Sequence, residues 1–232
     1  FSAFYQMKDL PKGKISFSVP TGNFGDAYAG YLSKKMGLPI DKIIVATNDN
    51  DILHRAFKTG VYKSNSVSKT LSPSMDIQVA SNFERLLFDL LDNDTKEVTK
   101  LMRNLSSKGH FDLEKRILSS ISEDFDSGAV TDKDTIATIN RFFNEREIIL
   151  CPHSAIAVRV GKNFVDAGET VVSLGTAHPA KFRDTVESAL DMNIPVPLAL
   201  KVIMEKKEVV KVIPPSKEQV AYEIRKSHLR AD

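Results

Sequence analysis

The chain has 232 residues, and 32 Lys or Arg against 30 Asp or Glu leave a formal net charge of +2. Apolar residues make up 42% and charged residues 27%, which is typical of globular proteins and argues against disordered, collagen-like and coiled-coil chains. The near-neutral net charge gives no argument for nucleic-acid binding. No apolar run reaches the roughly 18 residues of a membrane span. The one cysteine, Cys151, excludes an internal disulfide framework and a cysteine-based zinc site.

The chain begins FSAFYQMKDL, without an initiator Met and without the pattern of a signal peptide. Aromatic and apolar residues in this stretch predict the last turns of a helix whose beginning is missing. We therefore expect a piece of a longer protein; the alternative is a boundary just ahead of a complete domain. Since no export or anchoring signal is visible, we expect a cytoplasmic location.

The next segments predict an α/β arrangement. A buried strand at 14–20 is followed by a glycine-containing loop at 21–26 and a helix at 27–36. A second buried strand at 42–46 precedes a helix that ends near Gly60. This alternation of strands and helices is typical of a parallel sheet.

Residues 82–146 are predicted to be wholly helical and to form an insertion. The predicted helices span 83–91, 94–105, 112–121 and 131–146, with a capping box at Ser81 and Glu84 and a linker at 124–132. The later predicted elements are strands at 148–150, 169–175 and 209–213 and helices at 155–164, 180–190 and 198–204, with Ser154 capping the first of these helices and a last helix beginning after Ser216. We expect an α/β part at 1–81, a helical insertion at 82–146 and a C-terminal α/β part at 147–232.

The loop Thr21–Asp26 is the first candidate site. Two glycines allow a tight turn and a close backbone approach to a ligand, and amides at a helix N-terminus favour a phosphate. The alternative is a plain turn between strand and helix. The loop has neither the G-x-G-x-x-G dinucleotide pattern nor the Gly-Lys-Ser/Thr ending of a Walker loop.

Thr176 is the second candidate, because it follows a predicted strand and its hydroxyl can bond a ring nitrogen. The alternative is a helix cap. We assign structural roles to His153 and His178, which precede helices and have no metal-spaced partner. His54 and Arg55 fall inside a predicted helix and are expected to face solvent, and Cys151 is expected to be a buried small residue. Ser81, Asn82 and Arg85 could clamp an anion, although the capping box explains Ser81 without a ligand.

Five segments then resemble one family in order. They are VPTGNFGD at 19–26, VATNDNDILHR at 45–55, LSPSMDI at 71–77, SNFERLL at 81–87 and TAHPAKF at 176–182. The first strongly resembles the cofactor-phosphate loop of threonine synthases, and the others match that family at the right intervals. The resemblance covers most of residues 15–190.

The resemblance implies an open parallel-sheet αβα domain of the tryptophan-synthase-like type II pyridoxal phosphate (PLP) fold, with a helical insertion. The family converts O-phospho-L-homoserine and water into L-threonine and phosphate, using PLP as electron sink. The resemblance also implies that Gly22, Asn23, Phe24 and Asp26 bind the cofactor, with the Gly22–Gly25 amides around its phosphate. It implies that the Thr176 hydroxyl contacts the pyridine nitrogen. No metal is implied.

The chain departs from the family in one respect. The family's Schiff-base lysine lies ahead of anything in this sequence, so we expect no catalytic residue in the chain and expect the missing N-terminal half of the same polypeptide to be its partner. Two alternative functions remain open: another type II PLP enzyme and a non-catalytic phosphate-ligand-binding module. An oligomer is also possible. No nucleic-acid or membrane partner is expected.

Overall fold

A parallel four-stranded sheet organises the larger of the two compact units of the chain, Phe1–Ile194 and Pro195–Asp232. The computed structural model describes residues 1–6 and 15–228. Its strands are β1 (Ile15–Pro20), β2 (Ile40–Thr47), β3 (Val61–Lys63), β4 (His110–Asp112), β5 (Phe125–Ala129) and β6 (Val171–Ser173). The main sheet has the order β5-β2-β1-β6, and β3 pairs with β4 in a separate antiparallel ribbon.

The helices of the first unit alternate with these strands. They are α1 (Ser2–Gln6), α2 (Gly25–Lys35), α3 (Ile52–Thr59), α4 (Phe83–Leu90), α5 (Thr95–Lys108), α6 (Lys115–Asp124), α7 (Asp132–Arg146), α8 (Pro152–Asp166) and α9 (Arg183–Leu190), with short 3₁₀ turns at Pro73–Met75 and Pro179–Phe182. The second unit contains α10 (Leu198–Met204) and α11 (Lys217–His228). The α/β arrangement and the parallel sheet predicted from the sequence are confirmed.

β1 lies between β2 and β6, and all six of its residues are buried. Val19 lies opposite Val45 and Ser18 opposite Ser173, and the pairing with β2 has one irregularity, between Ile15 and Phe17. Central parallel strands have neighbours at both edges and helices on both faces, which explains why Ser16 and Ser18 are buried together with the apolar residues of β1. The loop that follows β1 therefore leaves from the middle of the carboxyl edge of the sheet.

An aromatic cluster fixes the helices that follow β1 and β2. The Phe24 ring is fully buried, and its centroid lies 5.6 Å from those of Phe83 and Phe125 and 6.3 Å from that of Phe57. These residues come from the start of α2, from α3, from α4 and from β5. Burial of each ring contributes about 1.5–3 kcal/mol to stability, so the cluster anchors the start of α2.

α8 approaches the sheet very closely. A Cβ added to Gly161 would lie 3.1 Å from Ser173 Oγ and 3.2 Å from Ser18 Cβ, so only glycine allows this contact with β1 and β6. The Ser18 hydroxyl also donates to the Ala157 carbonyl oxygen, at 2.7 Å. Because a crossover helix runs antiparallel to the strands, the N-terminus of α8 lies at the carboxyl edge of the sheet.

The predicted all-helical segment at 82–146 is wrong in two places. β5 pairs with β2 along its whole length in the main sheet, and β4 forms half of the ribbon. The FDSGA sequence of β5 resembles a linker because it carries Gly, Ser and Asp. An edge strand needs only one buried face, which here consists of Phe125 and Ser127. The expected division into 1–81, 82–146 and 147–232 stays a prediction.

Two predicted strands and two predicted caps are also wrong. Residues 148–150 and 209–213 are not strands, and Val209 and Val212 are 93% and 91% exposed; β-branched residues form a strand only where a neighbouring strand is available. The N-cap of α8 is Cys151 rather than Ser154, with Cys151 Sγ accepting the Ser154 amide. α4 begins after Asn82 without a side-chain cap, so the Ser81 capping box is not formed.

Several predicted boundaries are confirmed. α3 ends at Thr59, followed by its C-cap Gly60, whose φ of 77° is left-handed. α10 has the predicted bounds, 198–204. Ser216 accepts the Gln219 amide at the start of α11. Within residues 1–6 and 15–228, no helix combines the length and hydrophobicity needed to cross a membrane. The same residues include no cluster of three or more His, Cys, Asp or Glu suited to a metal ion.

Candidate functional site

A cleft of about 210 Å³ lies at the carboxyl edge of the sheet, beside the ends of β1 and β6. Gly22, Asn23 and Asp26 line it together with Thr176. These residues are some 150 positions apart in the sequence, and the parallel pairing of β1 with β6 brings them together. The cleft therefore joins the two candidate regions that the sequence identified.

The loop before α2 is held by its own side chains. Thr21 Oγ1 accepts the Phe24 amide at 3.0 Å, and Asn23 Oδ1 accepts the Gly25 amide at 2.8 Å. The Thr21 amide in turn donates to the Ala46 carbonyl oxygen of β2. Asn23 is exposed whereas Thr21 is buried, so the Gly25 amide can exchange its acceptor more readily than the Phe24 amide can.

Phe24 lies differently from the other candidates. Its side chain is fully buried in the aromatic cluster, and its φ of 67° is left-handed. Only its backbone belongs to the loop, because the hydrophobic ring is removed from water on the opposite side of the loop from the cleft. The sequence assigned Phe24 to the cofactor site; the structure assigns its side chain to the core.

Gly22 is required by a close approach of two backbone segments. A Cβ at this position would lie 3.0 Å from Met75 Cα and 3.2 Å from the Met75 carbonyl oxygen. Contacts below about 3.4 Å with backbone atoms cannot be relieved by a side-chain rotation. Met75 also lines the cleft, so the segment around Met75 supports the loop from the side.

That supporting segment is fixed by a buried polar network. Asn48 Nδ2 lies 2.8 Å from Thr70 Oγ1, 2.9 Å from Ser72 Oγ and 2.8 Å from Asp76 Oδ1. Asn50 Nδ2 donates to the same Asp76 oxygen at 2.9 Å. Satisfied buried networks are rigid because each member would lose its partners if it moved. This network was not predicted from the sequence, although the polar run 47–51 after a buried strand was a signal.

Asn82 completes the support of the loop. Its backbone amide and its Nδ2 both donate to the Asn23 carbonyl oxygen, at 3.0 and 3.2 Å. This explains why Asn82 does not cap α4 with its side chain. Arg85, the other half of the clamp considered above, is exposed and lines a different groove with Tyr28 and Phe88. The structure therefore does not bring Arg85 to the cleft.

Thr176 is exposed and follows β6 at its carboxyl end. The pairing of β6 with β1 extends one residue beyond the strand, since the Leu174 amide donates to the Ser18 carbonyl oxygen at 2.9 Å. His178, rather than Thr176, caps the following turn, because its Nδ1 accepts the Ala180 amide at 3.1 Å. The Thr176 hydroxyl is thus not needed as the cap that the alternative interpretation required.

The cleft is also lined by His153, Lys181 and Phe182. His153 is 4% exposed, and neither ring nitrogen has a hydrogen-bond partner among the described residues. Burial and, next, the charge of Lys181 lower the pKa of His153 to about 4, and Asp76 opposes this shift. His153 is therefore neutral at pH 7. The sequence assigned it a structural role because a single histidine has no spacing signal.

The remaining candidates have structural partners. His54 Nδ1 lies 3.0 Å from Ser127 Oγ, and burial is the main cause of its lowered pKa. Arg55 Nε donates to Asp51 Oδ1 at 2.7 Å. Cys151 is buried and caps α8. These residues stabilise the fold around the cleft, and none of them lines it.

Comparisons with known proteins agree with this geometry. A family model described as "Threonine synthase, C-terminal" matches residues 154–224. The chain is 43% identical to the threonine synthase of Pseudomonas aeruginosa, over 88% of the chain and 44% of the relative. It is 41% identical to that of Saccharomyces cerevisiae, over 82% of the chain and 40% of the relative.

Solved structures extend the likeness to three dimensions. A PLP-bound threonine synthase from Brucella melitensis superposes with a TM-score of 0.86 at 42% identity, covering 98% of this chain and 48% of that chain. The yeast threonine synthase gives 0.85 at 36% identity, covering 98% and 50%. The chain thus spans about half the length of the relatives it matches, and its fold is the type II fold of these enzymes. On this evidence the chain belongs to the threonine synthase family and corresponds to a part of it that includes the C-terminal region.

Proposed function

We propose that this chain carries the cofactor-phosphate and ring-nitrogen contacts of a PLP-dependent threonine synthase. The observation that carries the proposal is the single cleft that joins Gly22, Asn23 and Asp26 to Thr176. The relative from Brucella melitensis described as PLP-bound supports it. The whole protein would convert O-phospho-L-homoserine and water into L-threonine and phosphate.

The residues of the cleft fit a phosphorylated pyridine in two respects. A Cβ at Gly22 would press on the Met75 backbone at 3.0 Å, and its absence leaves the loop backbone free to approach an anion. α2 begins at Gly25, and the positive end of a helix favours an anionic phosphate. A bound phosphate would compete with Asn23 Oδ1 for the Gly25 amide, which needs only the rotation of an exposed side chain.

The cleft carries one charged side chain of each sign. Asp26 stands exposed in the first turn of α2, where its carboxylate stabilises the helix but repels an anion. Lys181 also lines the cleft and supplies the compensating positive charge. The Thr176 hydroxyl can bond a pyridine nitrogen as donor or acceptor without requiring that the nitrogen be charged.

The division of labour follows from these contacts. When bound, PLP supplies an aldehyde and an electron sink, while the protein supplies position and electrostatics. In this chain, Gly22 and Asn23 hold the phosphate end and Thr176 orients the ring. The lysine that forms the covalent bond to the cofactor would come from the part of the polypeptide outside this sequence. An oligomer and a cytoplasmic location remain predictions.

The test uses the full-length protein that contains this chain. PLP affinity is measured by fluorescence titration, and phosphate release from O-phospho-L-homoserine is measured as turnover. Thr176→Val keeps the size of the side chain and removes the hydroxyl, so we expect turnover to fall while the melting temperature stays near that of wild type. Thr99→Val is the matched control, because Thr99 is in α5 and bonds only its own helix at the Thr95 carbonyl oxygen.

Two results would contradict the proposal. A full-length protein that neither binds PLP nor releases phosphate would support the non-catalytic module instead. A Thr176→Val protein with the kinetics of Thr99→Val would remove Thr176 from the site.

A further inference from the structure

His153 is the one side chain of the cleft whose nitrogens are buried and unpartnered in the described part of the chain. It is the second residue of α8, and 96% of its surface is removed from solvent, since 4% remains exposed. Burying a hydrogen-bonding group without a partner destabilises a fold. A protein that keeps such a group at the wall of a cleft gains something from it in another state.

The other described histidines are used differently. His54, His110 and His178 each have a ring nitrogen within hydrogen-bond distance of a protein atom. Among the four histidines whose side chains the structure describes, the lack of partners is therefore specific to His153. If this position served packing alone, a phenylalanine would fill the space equally well and would have no polar atoms to desolvate.

The surroundings of His153 favour a neutral donor. Burial and the nearby Lys181 ammonium disfavour the imidazolium, although Asp76 acts in the opposite direction. A neutral imidazole has one N–H to donate and one lone pair. The Phe182 ring lies against it, with centroids 4.4 Å apart. Since the second side-chain torsion of histidine is broad, the ring can turn an N–H toward the cleft.

We propose that His153 is a further ligand-binding residue of this cleft, which donates an N–H to an oxygen of a phosphate monoester. The inference rests on the proposed function and extends it to a residue of α8 that lines the same cleft as Gly22. The phosphate monoester is that of the cofactor or that of the substrate. The two sources share the same oxygen chemistry, so the experiment separates them.

The decisive variant is His153→Phe in the full-length protein. It keeps a ring against Phe182 and removes both unpartnered nitrogens, so we expect its melting temperature to equal or exceed that of wild type. Loss of a hydrogen bond to a charged group lowers affinity by about 10-fold or more. His153→Gln, which keeps an N–H donor, should recover part of the affinity. His54→Gln is the control outside the cleft.

The two phosphate sources give different results. A weaker affinity for PLP, titrated without substrate, assigns the contact to the cofactor phosphate. An unchanged PLP affinity with a higher KM for O-phospho-L-homoserine and an unchanged kcat assigns it to the substrate. If neither value differs from the His54→Gln control, or if His153→Phe loses affinity only in proportion to a lower melting temperature, His153 is structural and the proposal is wrong.

A second measurement separates this inference from the proposed function. The ring ¹⁵N shifts of His153 are followed while inorganic phosphate is added to the protein without PLP. The His153 signals are identified by their absence from the spectrum of His153→Gln. A saturable shift of these signals on adding phosphate supports the contact even if turnover of O-phospho-L-homoserine is not found. Ring signals that do not respond to phosphate, in a protein that binds PLP, overturn the His153 contact while leaving the proposed function standing.

Discussion

Replacing Gly22 by alanine tests the link between the loop and the segment that supports it. The new Cβ would lie 3.0 Å from Met75 Cα, 3.1 Å from Ile77 Cδ1 and 3.2 Å from the Met75 carbonyl oxygen. Two of these three atoms belong to the backbone, so relief requires a shift of the chain. Overpacking of this kind destabilises proteins by about 1–3 kcal/mol.

The direction of the shift decides the effect on the ligand. The segment with Met75 is held by the buried bonds of Asn48 to Thr70 and Asp76, whereas the loop side includes the exposed Asn23. The loop should therefore move. Displaced amides bind a phosphate less well, and we expect PLP affinity to fall at least about 10-fold, since 1.4 kcal/mol is a tenfold change.

Two other glycines of the same region provide controls. In Gly25→Ala, the nearest atom is the flexible Asn23 Oδ1 at 3.0 Å, so a smaller loss of stability is expected. In Gly30→Ala, the Cβ would meet Ile43 Cδ1 at an ordinary 3.5 Å inside α2. Alanine is favoured over glycine in a helix by about 1 kcal/mol, so Gly30→Ala should be neutral or stabilising.

The assays are thermal unfolding by circular dichroism and PLP titration by fluorescence, both on the full-length protein. The expected order of stability is Gly30→Ala, then Gly25→Ala, then Gly22→Ala. A Gly22→Ala protein with wild-type stability would refute the close approach to Met75. A Gly22→Ala protein with reduced stability but wild-type PLP affinity would refute the placement of the phosphate at this loop.

Other expected outcomes concern the support of the cleft. Asn48→Leu leaves Asp76 and its neighbours short of buried donors, so urea unfolding should show a loss of about 3 kcal/mol; a loss below 1 kcal/mol would mean that the network is dispensable. Thr131→Ala removes the side-chain cap of α7 and should lower stability by about 1 kcal/mol in the same assay, with unchanged PLP affinity. Because the pKa of His153 is lowered from 6.5 to about 4 in the folded protein, protonation favours unfolding. Between pH 6.5 and 4, the free energy of unfolding of wild type should thus fall by up to about 3 kcal/mol more than that of His153→Phe. Equal losses in the two proteins would show that His153 is not buried in its neutral form.

The centre of the fold could be predicted from the sequence and its edges could not. β1 alternates Ile15, Phe17 and Val19 with serines and is buried throughout, and β2 contains a buried apolar run at 43–46; buried strands of this kind are typical of the centre of a parallel sheet. β5 has a single neighbour in the sheet, so its sequence needs little apolar character and resembles a linker. The residues 209–213 show the converse, because their β-branched run finds no strand to pair with.

Part of the lining of the cleft was likewise open to prediction, and part was not. A glycine-containing loop between a strand and a helix is a local pattern, and it includes Gly22, Asn23 and Asp26, which line the cleft; their binding of a cofactor stays a prediction. Phe24 lies in the same motif, but its ring is buried on the other side. His153 has no local pattern. Its distinguishing property, the absence of partners, exists only once the neighbouring elements are assembled.

The conformation of the loop is set by the core rather than by a ligand. A left-handed non-glycine residue such as Phe24, with its φ of 67°, costs about 1–2 kcal/mol. Complete burial of its ring among Phe57, Phe83 and Phe125 contributes about 1.5–3 kcal/mol, which offsets that strain. The amides that follow are therefore held in position before any anion arrives, and a phosphate need not supply the free energy that orders them. Substitutions in this aromatic cluster should consequently weaken phosphate binding even though none of the rings touches the cleft.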